Sequence, residues 1–560
     1  MSEEATANTV NIEQGTYEVL RGRLVEQSRQ LRGLVETLNS KRLELFGGQD
    51  MEVIGSEKIR TKNACLPRDI VSIGQDLLFG YEVKLGLKQE IDIDDVLGLY
   101  HFAVQEGGFS FQPLSSHVDE GEGETPALTP KFLEDENFKR DFKELFKYYK
   151  TIRLLQLRVL ENGTKLVALF QIGATINDVK GLRWAISRDD VKYLDNRGER
   201  DNVATPAYEF TWDTANRDNF VTGKFPHVSI LDEVFVETVG GDLTVKVENN
   251  TEDGQGIYSE KVEDARQSLA DAQFHYKKLG NIILLKILPY RETEWRYLVF
   301  NTRTQTVHNV KAIGYSCIQL PEDHGLIFPG GFYLQEGLLK NFEGDFAGMT
   351  YESTVRSPNG EDVLYVFRHR EQCRFALMPY NMIQKEVRSP IHCNGYCVYE
   401  DGTLVLFRSP TDGEPSRVHT MQIWRTPFTS AEHQMKLQSK SGSHLENIGN
   451  AELVRGVSDC LSVARRIEEQ QPTLAIYEDL VSALNRITDV YPWLGHPEVG
   501  GLLAPLQDIR KTSTLVLEEF DKVVTLTKQA SKAFDEISKQ FKEKSRRLNP
   551  DDWKTVEEYV

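Results

Sequence analysis

From Ile282 to Phe428 the chain reads as one strand-length apolar burst after another, each closed by a turn signal, with no helix-period stretch between them. At its centre, Tyr315 to Leu320 and Leu326 to Phe328 flank the polar turn Pro321-Glu322-Asp323-His324-Gly325, and Pro329-Gly330-Gly331 reverses the chain into Phe332. Gly325, Gly330 and Gly331 supply the positive φ that tight reversals need, and β-branched and aromatic residues fill the runs between them. The same form extends back to Ile152. Asn162-Gly163, Gly240-Gly241 and Asp401-Gly402 each sit at the tip of two apolar runs, a strong hairpin pattern. A recurrence of roughly 40–50 residues is the size of a four-stranded propeller blade. The pattern predicts a β-propeller-like all-β domain of about six or seven blades over 151–430, with a large irregular β-sandwich pair as the alternative. Within it, Glu260 to Lys278 is expected to form a short helix inserted between blades.

The flanks have a different period. After an acidic, loose start, Tyr17, Leu20, Leu24, Gln27, Leu31, Leu34, Leu38, Lys41 and Leu45 alternate steps of three and four. That is a heptad seam with polar interruptions at Gln27 and Lys41, ended by Gly47-Gly48. Such a helix needs a partner, either in this chain or in another copy. Short strands follow at Met51–Ile54, Ile70–Ile73, Leu77–Leu85 and Leu99–Val104, with turns at Pro67-Arg68-Asp69 and Gly107-Gly108. An acidic linker, 117–130, leads to an amphipathic helix, Leu133 to Tyr149, whose Phe138, Phe142, Leu145, Phe146 and Tyr149 face one side. Beyond Pro427, helices are expected over Ala451–Ile467 and Leu474–Val490, with a loop from Gly495 to Pro505. A second heptad seam then runs through Val516, Phe520, Val523, Thr527, Ala530, Phe534, Ile537 and Phe541. The predicted fold is mixed α + β and multidomain. Its segments are an N-terminal coiled-coil helix (1–48), a small β-rich segment, either separate or part of the propeller (49–116), a linker and helix (117–150), the propeller-like domain (151–430), a helical region (431–510) and a C-terminal coiled coil (511–560).

At 560 residues the chain is too long for one core, and length alone suggests three or four domains. A net charge of −19 argues against general nucleic-acid binding, which needs a basic surface. Lys539 to Arg547 is a modest basic run that leaves a weak local contact with nucleic acid open. Six cysteines spread thinly point to a reducing compartment. With no basic and apolar leader and no apolar run long enough to span a bilayer, the expected location is cytoplasmic.

Candidate chemistry is sparse. Asp92, Asp94 and Asp95 have the look of a calcium loop but lack its glycine and distant glutamate. Gly223-Lys224-Phe225 lacks the first glycine and the hydroxyl of a phosphate loop, so Asp232-Glu233 reads as the end of an ordinary strand. His392, Cys393 and Cys397, with Cys373 and His369 nearby, have the wrong spacing for zinc. Cys393 and Cys397 would share one strand face, as thiols buried between blades. His324 is expected to tie its turn by hydrogen bonds. No catalytic, cofactor-binding or metal residue is assigned.

Leu20 to Arg32, Arg60 to Val71 and Gln319 to Gly331 resemble segments of a bacterial family of large "DNA-repair ATPases". The resemblance extends along the whole chain. It implies an N-terminal portion of a longer protein, with further coiled coil and an AAA-type ATPase module downstream that would hold ATP and magnesium. The expected role is a non-catalytic module: propeller loops bind a protein partner, and the helices pair with a helical partner or with themselves. Two alternatives stand beside it, a DNA-associated structural subunit and a propeller hydrolase whose site lies in the channel.

Overall fold

A computed structural model describes residues 3–48, 50–83, 91–105, 107–114, 131–149, 152–160, 163–187, 190–223, 226–239, 241–247, 256–264, 271–409, 413–437, 442–469 and 473–547. The chain divides into two units. Residues 48–439 form one, and the two ends, 1–47 and 440–560, together form the other.

In the first unit the hairpin patterns become antiparallel sheets of four or five strands, and one sheet has seven. Glu52–Ile73, a 22-residue strand, is why that sheet is double. Its first half pairs with Ser416–Arg425, and its second half pairs with Asp76–Val83. The chain's early strand thus completes the last blade and then opens the first. The two halves share a core of Ile59, Phe79, Phe102, Phe407 and Met421. With the double sheet divided at that strand, seven blade-sized units follow in sequence. Blade 1 spans 65–113 and blade 2 spans 153–195. Blade 3 spans 220–260, and blade 4 spans 273–309 with the edge strand Asp213–Thr214. Blade 5 spans 318–341 and blade 6 spans 350–393. Blade 7 combines 395–425 with 52–60. Apolar clusters lie between blades 1 and 2, 3 and 4, 4 and 5, and 6 and 7. This is the propeller-like α + β architecture that the turn spacing predicts, and the described strands between Glu52 and Pro113 belong to it. Pro67 to Asp69 is not a turn; it is a register shift inside the long strand.

The described α-helices are α1 (Glu3–Phe46), α2 (Lys131–Glu134), α3 (Glu136–Tyr148), α4 (Ala431–Leu437), α5 (His444–Ile448), α6 (Asn450–Glu469), α7 (Leu474–Val490) and α8 (Leu503–Arg547). The side chain of Asp135 caps α3 by accepting from the N–H groups of Asn137 and Phe138. The α3 face bearing Phe138, Phe142 and Leu145 buries against Trp184 and Tyr193 of blade 2, as its aromatic stripe implies. The acidic stretch 117–130 lies outside the described residues. The helix expected over Glu260 to Lys278 is corrected where it is described. Gln273–Leu279 is a strand that pairs with Ile282–Leu288 across a turn at Gly280, where φ is +61°. Phe274 buries into the core while its neighbours Gln273 and His275 stay wholly or partly exposed, the alternation of a strand.

In the second unit α1 packs along α6 and α8 of its own chain. Tyr17 touches the hydroxyl of Tyr477 at 3.1 Å and the ring of Phe520 at 5.4 Å, and Arg32 donates to Glu468 at 2.6 Å. The helix reaches back to Glu3 through the start expected to be loose. The buried stripe is Tyr17, Leu24, Ser28, Leu31, Val35, Leu38 and Arg42, so the polar interruptions are Ser28 and Arg42; Gln27 is only half-buried and Lys41 is exposed. Arg42, fully buried, donates to Asn39 and to Asn450 of α6. The loop expected from Gly495 to Pro505 is shorter, because α8 begins at Leu503 and runs unbroken to Arg547.

Candidate functional site

A cavity of about 1130 Å³ opens where the first strands of blades 1, 2, 6 and 7 converge. Asp69, Gln156, Arg158, Glu352, Tyr396 and Glu400 are among its lining residues. A first strand has no strand neighbour on its inner side, so its N–H and C=O groups need other partners. Along Arg153–Leu160 of blade 2, side chains from other blades supply them. Asp69 of blade 1 accepts from the N–H of Leu157 at 2.9 Å, and Arg368 of blade 6 donates to the carbonyl of Leu155 at 2.8 Å. Between them, the amide of Gln156 donates to Glu352 of blade 6 at 2.8 Å, with Arg158 at 3.8 Å. Three blades are therefore stitched together at one strand.

Both Asp69 oxygens are occupied, since Oδ1 accepts from the N–H of Ile70 at 2.9 Å. Burial pushes its carboxyl up to about 7; the Arg368 guanidinium and the two N–H donors oppose that rise, and Glu352 adds to it. Near neutrality Asp69 is therefore divided between its neutral and charged forms. Cys393 and Cys397 lie nearby, and burial holds both thiols well above the ordinary range. They do not share a strand face. Cys393 ends a short strand of blade 6 and enters the core with Leu364 and Leu377, whereas Cys397 lies in the first strand of blade 7, Gly395–Val398, and packs with Phe79 and Phe407. The strand breaks at Asn394, so spacing counted through it loses its meaning. His392 packs on Phe346. Among the described residues, no group of three or more His, Cys, Asp or Glu side chains could hold a metal ion.

A smaller cavity of about 710 Å³ lies beside the first strands of blades 5 and 6. Gln319, Glu322, Asp323, Tyr351 and Arg356 are among its lining residues. Glu322 and Asp323 both adopt left-handed backbone, with φ of 52° and 54°. His324 beside them is buried and meets the Tyr380 hydroxyl at 2.7 Å, so it ties this turn to blade 6. Asp95 accepts from Asn63 and from the N–H of Asp92, and so it closes a helical turn. Asp232 sits in a hairpin turn at positive φ and accepts from Ser229; Lys224 and Phe225 lie outside the described residues. Cys65 and His419 form a buried pair at 3.2 Å, a geometry that suggests a nucleophile and its base. Burial pushes the thiol up to about 11 and the imidazole below its ordinary value, and Cys65 is fully enclosed. The pair is neutral packing.

Sequence reasoning assigned none of the stitching residues. Their signal is a polar side chain interrupting an apolar run: Gln156 within Leu154-Leu155-Gln156-Leu157, and Asp69 directly before Ile70-Val71.

The sheets and their axial cavities define a β-propeller-like protein carrying a helical unit made from both chain ends. Residues 30–492 match the family described as "ATPase involved in DNA repair", and the chain belongs to that family. No curated protein matches it. Among solved structures, it is similar to the β-propeller domain of the Trilobed protease from Pyrococcus furiosus at 9% identity and a TM-score of 0.19, covering 65% of this chain and 96% of that one. The Dos1 propeller matches at 7% identity and 0.24, covering 67% and 95%. The GH43_1 enzyme from Xanthomonas citri matches at 7% and 0.25, covering 66% and 89%. Likenesses at these scores add nothing to the sheet order described above. No helix among the described residues is long and apolar enough to cross a membrane.

Proposed function

We propose that residues 48–439 are a non-catalytic, partner-binding module of a DNA-repair-family ATPase, and that nucleotide and magnesium are handled by an AAA-type module outside this chain. The observation that carries this reading is the state of the axial side chains. Asp69, Gln156, Glu352 and Arg368 are held by backbone groups and by one another, which suits a rigid display surface better than a proton-transfer site. The exposed carboxylates Glu400 and Glu432 stand at the cavity edge, where a partner's polar segment can reach them. Incubation of the 560-residue chain with ATP and magnesium is expected to release no phosphate. Affinity capture with the parent chain is expected to retain a partner that the Glu400→Lys/Glu432→Lys chain loses at an unchanged melting temperature. Phosphate release, or capture indifferent to the double change, would overturn the reading.

A second reading rests on Asp69 and Glu352 alone. Two carboxyls line one cavity, one raised by burial and the other beside a guanidinium, and an acid and a base in glycoside hydrolysis need an asymmetry of that kind. Turnover of a chromogenic glycoside panel that disappears in Glu352→Gln would favour it over the first.

A further inference from the structure

One wall of the cavity beside blades 5 and 6 comes from the segment that joins blades 2 and 3. The Ala207 carbonyl accepts from the N–H of Cys317 at 2.9 Å and from the Ser316 hydroxyl at 2.7 Å. The Thr205 hydroxyl donates to the carbonyl of Glu352 at 3.0 Å. These bonds hold the segment against the starts of blades 5 and 6 and bring Glu209 to the cavity that Glu322 and Asp323 also border. All three carboxylates are exposed. Arg356, likewise exposed, is the one formal cation of the lining, so the carboxylates outnumber it three to one.

Carboxylates alone describe a solvated rim. Tyr365 makes this one a site. It stands directly across from Thr354 in the strand pairing of blade 6, and both side chains line the cavity. Tyr365 is 2% exposed, yet its hydroxyl makes no hydrogen bond among the described residues. The neighbouring polar groups are engaged elsewhere: the hydroxyls of Tyr351 and Thr354 meet at 2.8 Å, and Gln319 donates to Asp323 at 2.7 Å. Burial pushes the Tyr365 phenol above its ordinary range; Arg356 opposes that rise and Glu209 adds to it, so both charges act on the hydroxyl. A buried hydroxyl without a partner is unfavourable, and a ligand would supply the missing bond. The groups around it are mostly acceptors, namely a phenol oxygen and carboxylate oxygens. A group that only donates satisfies such a set, whereas an anion would face three carboxylates. A guanidinium carries five N–H donors in one plane and stacks on aromatic rings, so it reaches separated acceptors better than an ammonium does.

We propose that this cavity receives an arginine side chain of a protein partner, whose guanidinium donates to the Tyr365 oxygen and to the carboxylates of Glu209 and Asp323. It shares no lining residue with the larger cavity, so the site stands whether or not the Glu400–Glu432 edge binds anything. The probe is a fluorescently labelled peptide of glycines and two arginines, titrated into the full chain by anisotropy beside the same peptide with citrulline, which keeps the shape and removes the charge. The arginine peptide should bind and the citrulline peptide should not. Tyr365→Phe should weaken binding about tenfold, the order of one hydrogen bond to a charged group, at an undiminished melting temperature. Glu209→Gln with Asp323→Asn should abolish binding, whereas Glu26→Gln with Glu36→Gln, equal in charge but on exposed positions of α1, should leave it intact. Five results would each overturn the proposal: no binding of the arginine peptide, equal binding of both peptides, an unmoved affinity or a lowered melting temperature in Tyr365→Phe, or an equal loss in the α1 control.

Discussion

At the scale of single residues, Asp69 couples the axis of the propeller to pH. An aspartate ionises near 3.9 in an unfolded chain, and burial moves this one up to about 7. Between those values the folded chain holds a proton that the unfolded chain has lost. The stability so contributed is complete below about pH 4 and is lost as pH rises through 7. Glu352 and Arg368 face the same carboxyl with opposite signs, and burial outweighs both. Asp69→Asn should therefore flatten the fall in melting temperature between pH 4 and pH 8. An unchanged slope would show that Asp69 is ionised throughout. Such residues were faint in the sequence, because a lone polar residue in a strand carries no period; only the pairing of three distant strands gives it a partner. The seam of α1 shows a related limit. Leucines at 20 and 34 draw the heptad onto Gln27 and Lys41. Packing against several helices widens the buried stripe and, with 3.6 residues per turn, shifts it to Ser28 and Arg42.

At the scale of elements, two helical glycines separate intrinsic propensity from packing. Gly33 lies on α1 with nothing within 4 Å of the site a methyl would take. Gly33→Ala should stabilise the chain by about 0.5–1 kcal/mol in chemical denaturation. Gly456 of α6 faces the ring of Trp493, which would lie 2.5 Å from an added Cβ. There the clash exceeds the propensity gain, and Gly456→Ala should lower the melting temperature. Equal responses at the two sites would refute the contact. Elements themselves were the most legible level: hairpins at Gly163, Gly241 and Gly402, the aromatic face of α3, and α7 stand where turn chemistry and periodicity put them. The long strand Glu52–Ile73 was not legible as one element. Pro67 is a strong turn signal, and only the partners on either side show that the chain passes through it as a bulge.

For the whole molecule, closure of the first unit depends on strand 52–60 meeting Ser416–Arg425. Residues 48–439 contain both partners, so expressed alone they should unfold in one cooperative, β-rich transition in thermal circular dichroism. The same piece begun at residue 62 should lose that cooperativity, and retention of it would show that blade 7 needs no strand from the other end of the unit. The recurrence of blade-sized units was readable from turn spacing, their number only as about six or seven, and their closure not at all, because it joins residues more than 300 positions apart.

The pairing of α1 with α6 and α8 also sets a timetable for synthesis. α1 leaves the ribosome before Asn450, Glu468 and Tyr477, which it grips, and they follow about 400 residues later, roughly 20 to 80 s at ordinary translation rates. Throughout that interval its leucine stripe has no native cover within the nascent chain, so a chaperone that shields amphipathic helices would find its opportunity there.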